Sequence, residues 1–282
     1  ADIGVKPIGS TFSTTQKPEF KKRRHNSHKG IYGTALLFCG SYGYAGAAVL
    51  AARAALRSGV GIAKAVLSES IYAPFTAAVP EAVCVPIKQN GTADLNIKAL
   101  LNKADAVLAG SGSGNNDETE YLVKELLKTA EIPIVIDADG INVIANSIDI
   151  IKNTKAPVIL TPHPGEMARL LGVTAKEVEA DRVSIARGFA KEYGCILVLK
   201  GANTIIALPN GEITFNLTGN PGMACGGSGD VLSGITVSLL AQGFSPESAA
   251  KYAVYLHGEA GDKAALRRGE RAMLPTDIIE EL

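Results

Sequence analysis

One stretch of this chain has the residue types of a phosphoryl-transfer site: TGNPGMACGGSGDVLSGITVSLL, residues 218–240. Five glycines, Gly219, Gly222, Gly226, Gly227 and Gly229, precede Asp230, where a helical pattern begins. A glycine-rich backbone running into a helix start offers several free N–H groups and the positive end of the helix dipole, a combination suited to a phosphate in transfer. Asp230 at its lip could take the proton of a hydroxyl as that hydroxyl attacks phosphorus. It could also merely cap the helix. A cap needs one Asp or Ser and gives no reason for the glycines, so the catalytic reading is carried forward.

Other segments offer weaker signals. In LTPHPGEMARL (160–170), Pro162 and Pro164 fix an extended path that would hold His163 in a cleft before a helix starts at Gly165 and Glu166; a stiff turn with an exposed histidine fits the same residues. In VLKGANT (198–204), Lys200 ends a strand where it could meet phosphate, and Asn203 and Thr204 could hydrogen-bond a nucleotide. The chain has no GxxxxGK[ST], and no GxGxxG follows its first strand, so a bound nucleotide is held in another way. Around that strand lie HKGIYG (28–33) and GSYGYAGAA (40–48), whose Gly40, Gly43 and Gly46 would admit a ligand or simply let strand and helix pack closely. The same holds for GSGSG (110–114). Asp137 and Asp139 in IDADG could hold Mg²⁺ through water or organise their loop. His25, His28 and His257 lack metal-ligand spacing and read as structural or surface residues. No metal ligand is assigned.

These motifs need elements to place them. TALLFCG, VGIAKAVL, DAVLAG, IPIVID, APVILT and CILVLKG are short apolar runs of buried parallel strands. Between them lie helical patterns: AAVLAARAALRSG, DETEYLVKELLKTA, ADGINVIAN, a stretch after PHPGE and a long one from about Thr174 to Tyr193. NTIIAL and EITFNL flank PNG, a hairpin signal. VLSGITVSLLAQG, SPESAAKYAVYLHGEAGDKAA and PTDIIEEL close the chain as helices. This alternation predicts an α/β fold, a mostly parallel sheet with helices on both faces and right-handed crossovers. The motifs follow strands, so they can converge on one edge, where such sheets bind ligands. One domain is expected over 1–282, with residues 1–28 as a polar lead-in arm carrying the basic run Lys21, Lys22, Arg23 and Arg24.

Composition excludes several classes. The 28 basic and 28 acidic residues cancel, so no global field draws the chain to nucleic acid or an anionic membrane. A hydrophobic share of 46% supports a sizeable core, and no apolar run reaches the length of a membrane span. Cys39, Cys84, Cys195 and Cys225 lie far apart without zinc spacing and read as thiols in a reducing cytosol. The cytoplasm is therefore the expected location.

Taken together, SHKGIYGTALLFCGS, the GAA at 46–48, LTPHPGE, VLKGANT and GMACGGSGD resemble, in order, the ADP/ATP-dependent NAD(P)H-hydrate dehydratases of the ribokinase-like superfamily, from Ser27 to Leu282. TPHPGE beside GGSGD is the specific combination, since sugar kinases share the second and usually not the first. GSGSG departs from the pattern: Ser111 stands where a proline of a GPG-type turn is expected. The resemblance implies a ribokinase-like three-layer fold and a lyase that repairs nicotinamide cofactors. It would dehydrate the 6S hydrate of NADH or NADPH by phosphorylating the ring hydroxyl, so that the ring nitrogen can expel phosphate. Asp230 would be the base, with Gly226, Gly227 and Gly229 around the transferred phosphoryl group. Ala47, Gly112, His163, Asn220 and Asp230 would contact the hydrate. Lys200, Gly201, Ala202, Asn203, Thr204 and Gly229 would hold ADP or ATP, with Mg²⁺ offsetting the donor's charge. ADIGV at the start looks like the junction after an epimerase domain, implying a piece of a bifunctional, bacterial-type protein that uses ADP. A homotetramer is implied as well. Two alternatives use the same residues: a vitamin-precursor kinase of the same superfamily, and a non-catalytic nucleotide-sensing module, against which the intact GGSGD speaks.

Overall fold

The six apolar runs, and β4 beside them, become parallel strands: β2 (Thr34–Phe38), β3 (Ile62–Ser68), β4 (Val83–Ile87), β5 (Ala106–Ala109), β6 (Ile134–Ile136), β7 (Val158–Leu160) and β8 (Ile196–Leu199). The computed structural model describes residues 12–20, 22–88, 91 and 95–282. The PNG turn makes an antiparallel hairpin of β9 (Ile205–Ala207) and β10 (Ile213–Phe215), and β9 pairs antiparallel to β8. With β1 (Phe12–Thr14) the ten strands lie in the order β1-β10-β9-β8-β7-β6-β5-β2-β3-β4. The chain builds outward in one direction from β2 and in the other from β5, so the crevice between their carboxyl ends is the topological switch point where ligands bind in such sheets.

Strand side chains alternate between two cores. Ala35 and Leu37 join one with α1 (Ala45–Arg57), α2 (Glu69–Ala78) and three helices late in the chain, α9 (Ser228–Ala241), α10 (Pro246–Arg268) and α11 (Pro275–Glu280). Leu36 and Phe38 join the other with α3 (Ile97–Leu101), α4 (Asp117–Thr129), α5 (Asp139–Ile144), α6 (Pro164–Leu171), α7 (Ala175–Ala180) and α8 (Arg182–Tyr193). The result is the expected three-layer α/β arrangement. Alanines make α1 a strong helix and a thin one. It presses so closely on α9 that a Cβ at Gly234 would lie 2.3 Å from the Ala51 carbonyl oxygen. From Val231 to Ala241 every residue of α9 is buried.

Three features differ from the sequence reading. The stretch from Thr174 to Tyr193 is two helices, because Asp181 leaves helical geometry (φ −146°, ψ 58°) and accepts the Ser184 N–H as the cap of α8. The lead-in arm is only partly free: β1 pairs with β10, and Arg23 donates to the Gly59 carbonyl and covers the Tyr32 ring. Its first eleven residues, with the ADIGV junction, and Lys21 of the basic run lie outside the described residues. Finally, residues 69–101 hold α2, β4 and α3, which the apolar pattern did not single out.

Candidate active site

The loops after β2, β5, β6, β7 and β8 all open at one edge of the sheet, and Asp137, at the end of β6, is where they meet. Its carboxylate is 1% exposed. Oδ1 accepts from Thr161 Oγ1 (2.7 Å) and Lys200 Nζ (2.9 Å). Oδ2 accepts from Ser233 Oγ (2.7 Å) and Ser111 Oγ (3.2 Å). Burial by itself would raise this carboxyl, but the Lys200 ammonium and the hydroxyl donors outweigh it and hold it below its ordinary value. Asp137 thus ties the loops after β5, β7 and β8 to α9. Asp139 fixes the Gly114 N–H at 2.8 Å, so of the two readings of IDADG the loop-organising one is seen in the contacts. Ala138 between them is strained at φ 49° and ψ −118°, a region that side chains avoid.

Lys200 faces two carboxylates, Asp137 and, at 3.8 Å, Glu166 Oε2. Burial disfavours its charge, yet these neighbours keep it raised. Glu166 is buried at the third position of α6, where it accepts the His163 N–H at 2.7 Å. His163 in turn caps that helix: its Nδ1 accepts from Gly165 N at 2.9 Å. Its ring is half exposed, and burial leads the influences that lower its pKa. Pro162 and Pro164 therefore do fix His163, through a capping box as well as a stiff turn.

Asp230 sits in the first turn of α9, beside Asp137 and Lys200. Burial, and then the Asp137 charge, push its carboxyl up to about 7 against the pull of Lys200 and the polarity of the Ser111 hydroxyl. Such a carboxyl gains and loses its proton near neutrality, as a general base must. The helix start lies beside it. Gly227 caps α9 at φ 98°, a conformation that disfavours side chains, and a Cβ there would meet Leu50 at 2.6 Å. Gly226 has open space around it, and the Cα of Gly229 faces Lys200. The first turn leaves backbone N–H groups without intrahelical acceptors, at the positive end of the dipole. The Ser228 hydroxyl lies 3.2 Å from Nε2 of the half-buried His257, whose pKa is lowered to about 4 by desolvation, so the imidazole is neutral.

A cavity of about 700 Å³ opens beside these groups. It is lined by His163, by Lys200, Gly201, Ala202, Asn203 and Thr204, by Asn220, and by Gly226 and Gly229. Ser228 and His257 line it too. Asn220 spends both ends of its amide on the protein, donating to Asp262 Oδ1 and accepting the Gly222 N–H, both at 3.0 Å. Ala47 and Gly112 lie together outside this cavity: a Cβ on Gly112 would be 2.5 Å from that of Ala47. Asp230 is not among the residues lining this cavity; its neighbours Ser228 and Gly229 and the nearby Lys200 are. Gly227 is turned into packing and does not line the cavity, unlike Gly226 and Gly229. The sequence reading missed the parts played by Thr161, Glu166, Ser228, Ser233 and His257. Ser233 alone had a signal, since three residues on from Asp230 in a helix is the same face.

The sequence model described as NAD(P)H-hydrate dehydratase matches residues 35–282. A bifunctional NAD(P)H-hydrate repair enzyme of Moorella thermoacetica is 42% identical over 94% of the chain and 51% of its own length. The chain thus spans about half the length of the first curated relatives it matches. An ADP-dependent (S)-NAD(P)H-hydrate dehydratase of Neisseria meningitidis is 41% identical over 86% of the chain and 81% of its own length. Among solved structures, the ADP/ATP-dependent NAD(P)H-hydrate dehydratase of Bacillus subtilis, co-crystallised with ATP/Mg²⁺, superposes with a TM-score of 0.81 at 32% identity, covering 93% of this chain and 91% of that one. The fold is ribokinase-like, an arrangement that distant ribokinase structures share.

Proposed function

The chain belongs to the NAD(P)H-hydrate dehydratase family, and from that premise we propose that it converts (6S)-NAD(P)H hydrate to NAD(P)H with a phosphoryl group from ADP or ATP. The observation that carries this reading is the placement of Asp230, a carboxyl of pKa about 7 beside Lys200 at the start of α9, next to a cavity of about 700 Å³. Asp230 takes the proton of the ring hydroxyl while its oxygen attacks the terminal phosphorus of the nucleotide. The phosphorus–oxygen bond to the nucleotide breaks, leaving AMP from ADP or ADP from ATP. The ring nitrogen's lone pair then expels phosphate from the ring carbon, and loss of a proton from the adjacent carbon restores the reduced nicotinamide.

Lys200 to Thr204 and Gly229 would hold the nucleotide, and the α9 N–H groups with Gly226 would receive the migrating charge. Ala47, Gly112, His163 and Asn220 would border the hydrate. Among the described residues no three His, Cys, Asp or Glu side chains gather as a metal site, and Asp137 is already filled by four donors. Mg²⁺ fits as a companion of the nucleotide phosphates, whose charge it would offset. ADP is the preferred donor, in keeping with the Neisseria relative's name. An epimerase, fused or separate, would supply the 6S form, and the chain would act as a homotetramer in the cytoplasm. The test is to incubate the protein with hydrated NADH, Mg²⁺ and ADP or ATP. Recovery of the reduced-nicotinamide absorbance is expected. A stable phosphorylated alcohol from a vitamin precursor, without that recovery, would establish the kinase alternative instead.

A further inference from the structure

We propose that Arg182 is a positioning residue for the nucleotide: from behind the loop after β8 its guanidinium takes that loop's carbonyls and so turns the Gly201 and Asn203 N–H groups toward the cavity, where they meet the nucleotide's oxygen atoms. The inference rests on the reading of residues 200–204 as the nucleotide loop. Arg182 is the first residue of α8, and its side chain is only 15% exposed. Its Nη1 donates to the Ala202 carbonyl at 2.6 Å, and its Nη2 donates to those of Leu199 and Lys200 at 3.2 and 3.4 Å. The guanidinium also lies where Gly201 has no side chain: a Cβ there would be 2.9 Å from Nη2. Asn203, at φ 52°, holds a conformation that costs a non-glycine residue energy. The bond at 2.6 Å to the carbonyl just before it helps to hold it there.

The opposite side of this loop is a wall of the cavity. Residues 200–204 line it and Arg182 does not. In a planar trans peptide the carbonyl and the following N–H point in opposite directions. The Lys200 and Ala202 carbonyls turn toward Arg182, so the Gly201 and Asn203 N–H groups turn away from it. Neither N–H makes a hydrogen bond among the described residues. Two further carbonyls are taken within the protein, that of Gly201 by the Thr204 hydroxyl at 3.1 Å and that of Thr204 by the Asn216 N–H at 2.9 Å. The face left to a ligand is thus rich in donors and suits an oxygen-rich molecule. A planar fork can hold three carbonyls at fixed angles, which an ammonium on a flexible stem cannot. Lys200 has anchors of its own: its N–H goes to the Pro162 carbonyl at 2.8 Å and its Nζ to Asp137 at 2.9 Å. A change at Arg182 should therefore reach the nucleotide before it reaches the groups around Asp230.

Arg182→Met and Arg182→Lys, each checked for a native thermal transition, are compared with the unmodified chain. Titration calorimetry with ADP and Mg²⁺ should show binding about ten-fold weaker in the Met variant, the worth of one good hydrogen bond to an anionic oxygen. The Lys variant should recover only a small part of that loss. In turnover the KM for ADP should rise with the dissociation constant, while the KM for the hydrate and the kcat at saturating ADP stay within about two-fold. In the unmodified chain ADP should slow hydrogen exchange across residues 200–204, read by mass spectrometry. If the Met variant does not fold, the Lys variant decides on the same readings. The assignment is overturned by an unchanged ADP affinity in a natively folded variant, by full recovery in the Lys variant, or by a kcat that falls while the KM for ADP holds. It is overturned equally if ADP leaves exchange at 200–204 unchanged. If the unmodified chain binds ADP but turns over no hydrate, the proposed function fails instead, and calorimetry still decides the part of Arg182.

Discussion

Asp230→Asn should abolish turnover and make the protein more stable, by an amount that depends on pH. In the folded chain the Asp230 carboxyl holds its proton up to about 7, against an ordinary value of 3.8, chiefly because of burial and the Asp137 charge. The sign follows from linkage. Between these values the unfolded chain has released the proton and the folded chain has kept it, so stability falls as pH rises through that window. It is fully present below about 4 and fully lost above about 7. The roughly three pH units between the two values, at about 1.4 kcal/mol each, set a ceiling of about 4 kcal/mol. Asp230 is only partly buried, and water in the cavity screens its neighbours, which brings the realised effect to about 2 kcal/mol. The Asn variant carries no such charge. Its melting temperature should therefore match the native one near pH 4 and exceed it by about 4–8 °C at pH 8. Differential scanning calorimetry at both values measures this. A difference that is the same at both, or an Asn variant that melts lower at pH 8, would refute the account of Asp230 as a carboxylate ionised against its surroundings.

Asp137→Asn should act in two directions: urea unfolding should show a loss of roughly 3–5 kcal/mol, since Lys200 loses its nearest partner. The acid limb of any remaining kcat profile should move to lower pH because the charge that raises Asp230 is gone. Gly227→Ala should destabilise by about 1–3 kcal/mol, because φ 98° and the contact at 2.6 Å with Leu50 both resist a methyl group. His257, lowered to about 4 by burial, should add no step to nucleotide affinity between about pH 5 and 8; titration calorimetry across that range checks it, and a step that vanishes in His257→Gln would show that the imidazole charges there.

The parallel core strands were legible because buried strands in such sheets are apolar throughout and end in glycine or a polar turn, as in TALLFCG and CILVLKG. β4 escaped, since VCVPI combines a proline with half-exposed positions at a sheet edge. Asp181 inside an otherwise helical pattern carried no visible break, because a residue that caps one helix can look like a polar position of a longer one. GGSGD marked the start of α9 and LTPHPGE the cap of α6. The convergence on Asp137 was not legible. Its partners stand at 111, 161, 200 and 233, three hydroxyls and a lysine, and side chains at such separations have no local pattern. Only the order of strands in the sheet makes them neighbours.

The enclosure of α9 constrains how any reaction at its tip can proceed. From Val231 to Ala241 the helix is walled in by α1, α10 and the sheet, so displacing it would uncover a large apolar area at roughly 25 cal/mol per Å². The receiving end is a fixed anvil. Adjustment to a bound molecule is left to the exposed side chains around that tip, such as Leu217 at the cavity rim and Tyr42 and Tyr44 on the loop after β2, all largely exposed. Variation in speed or selectivity among proteins built this way would then reside in those outer segments, while the buried rod beneath them stays the same.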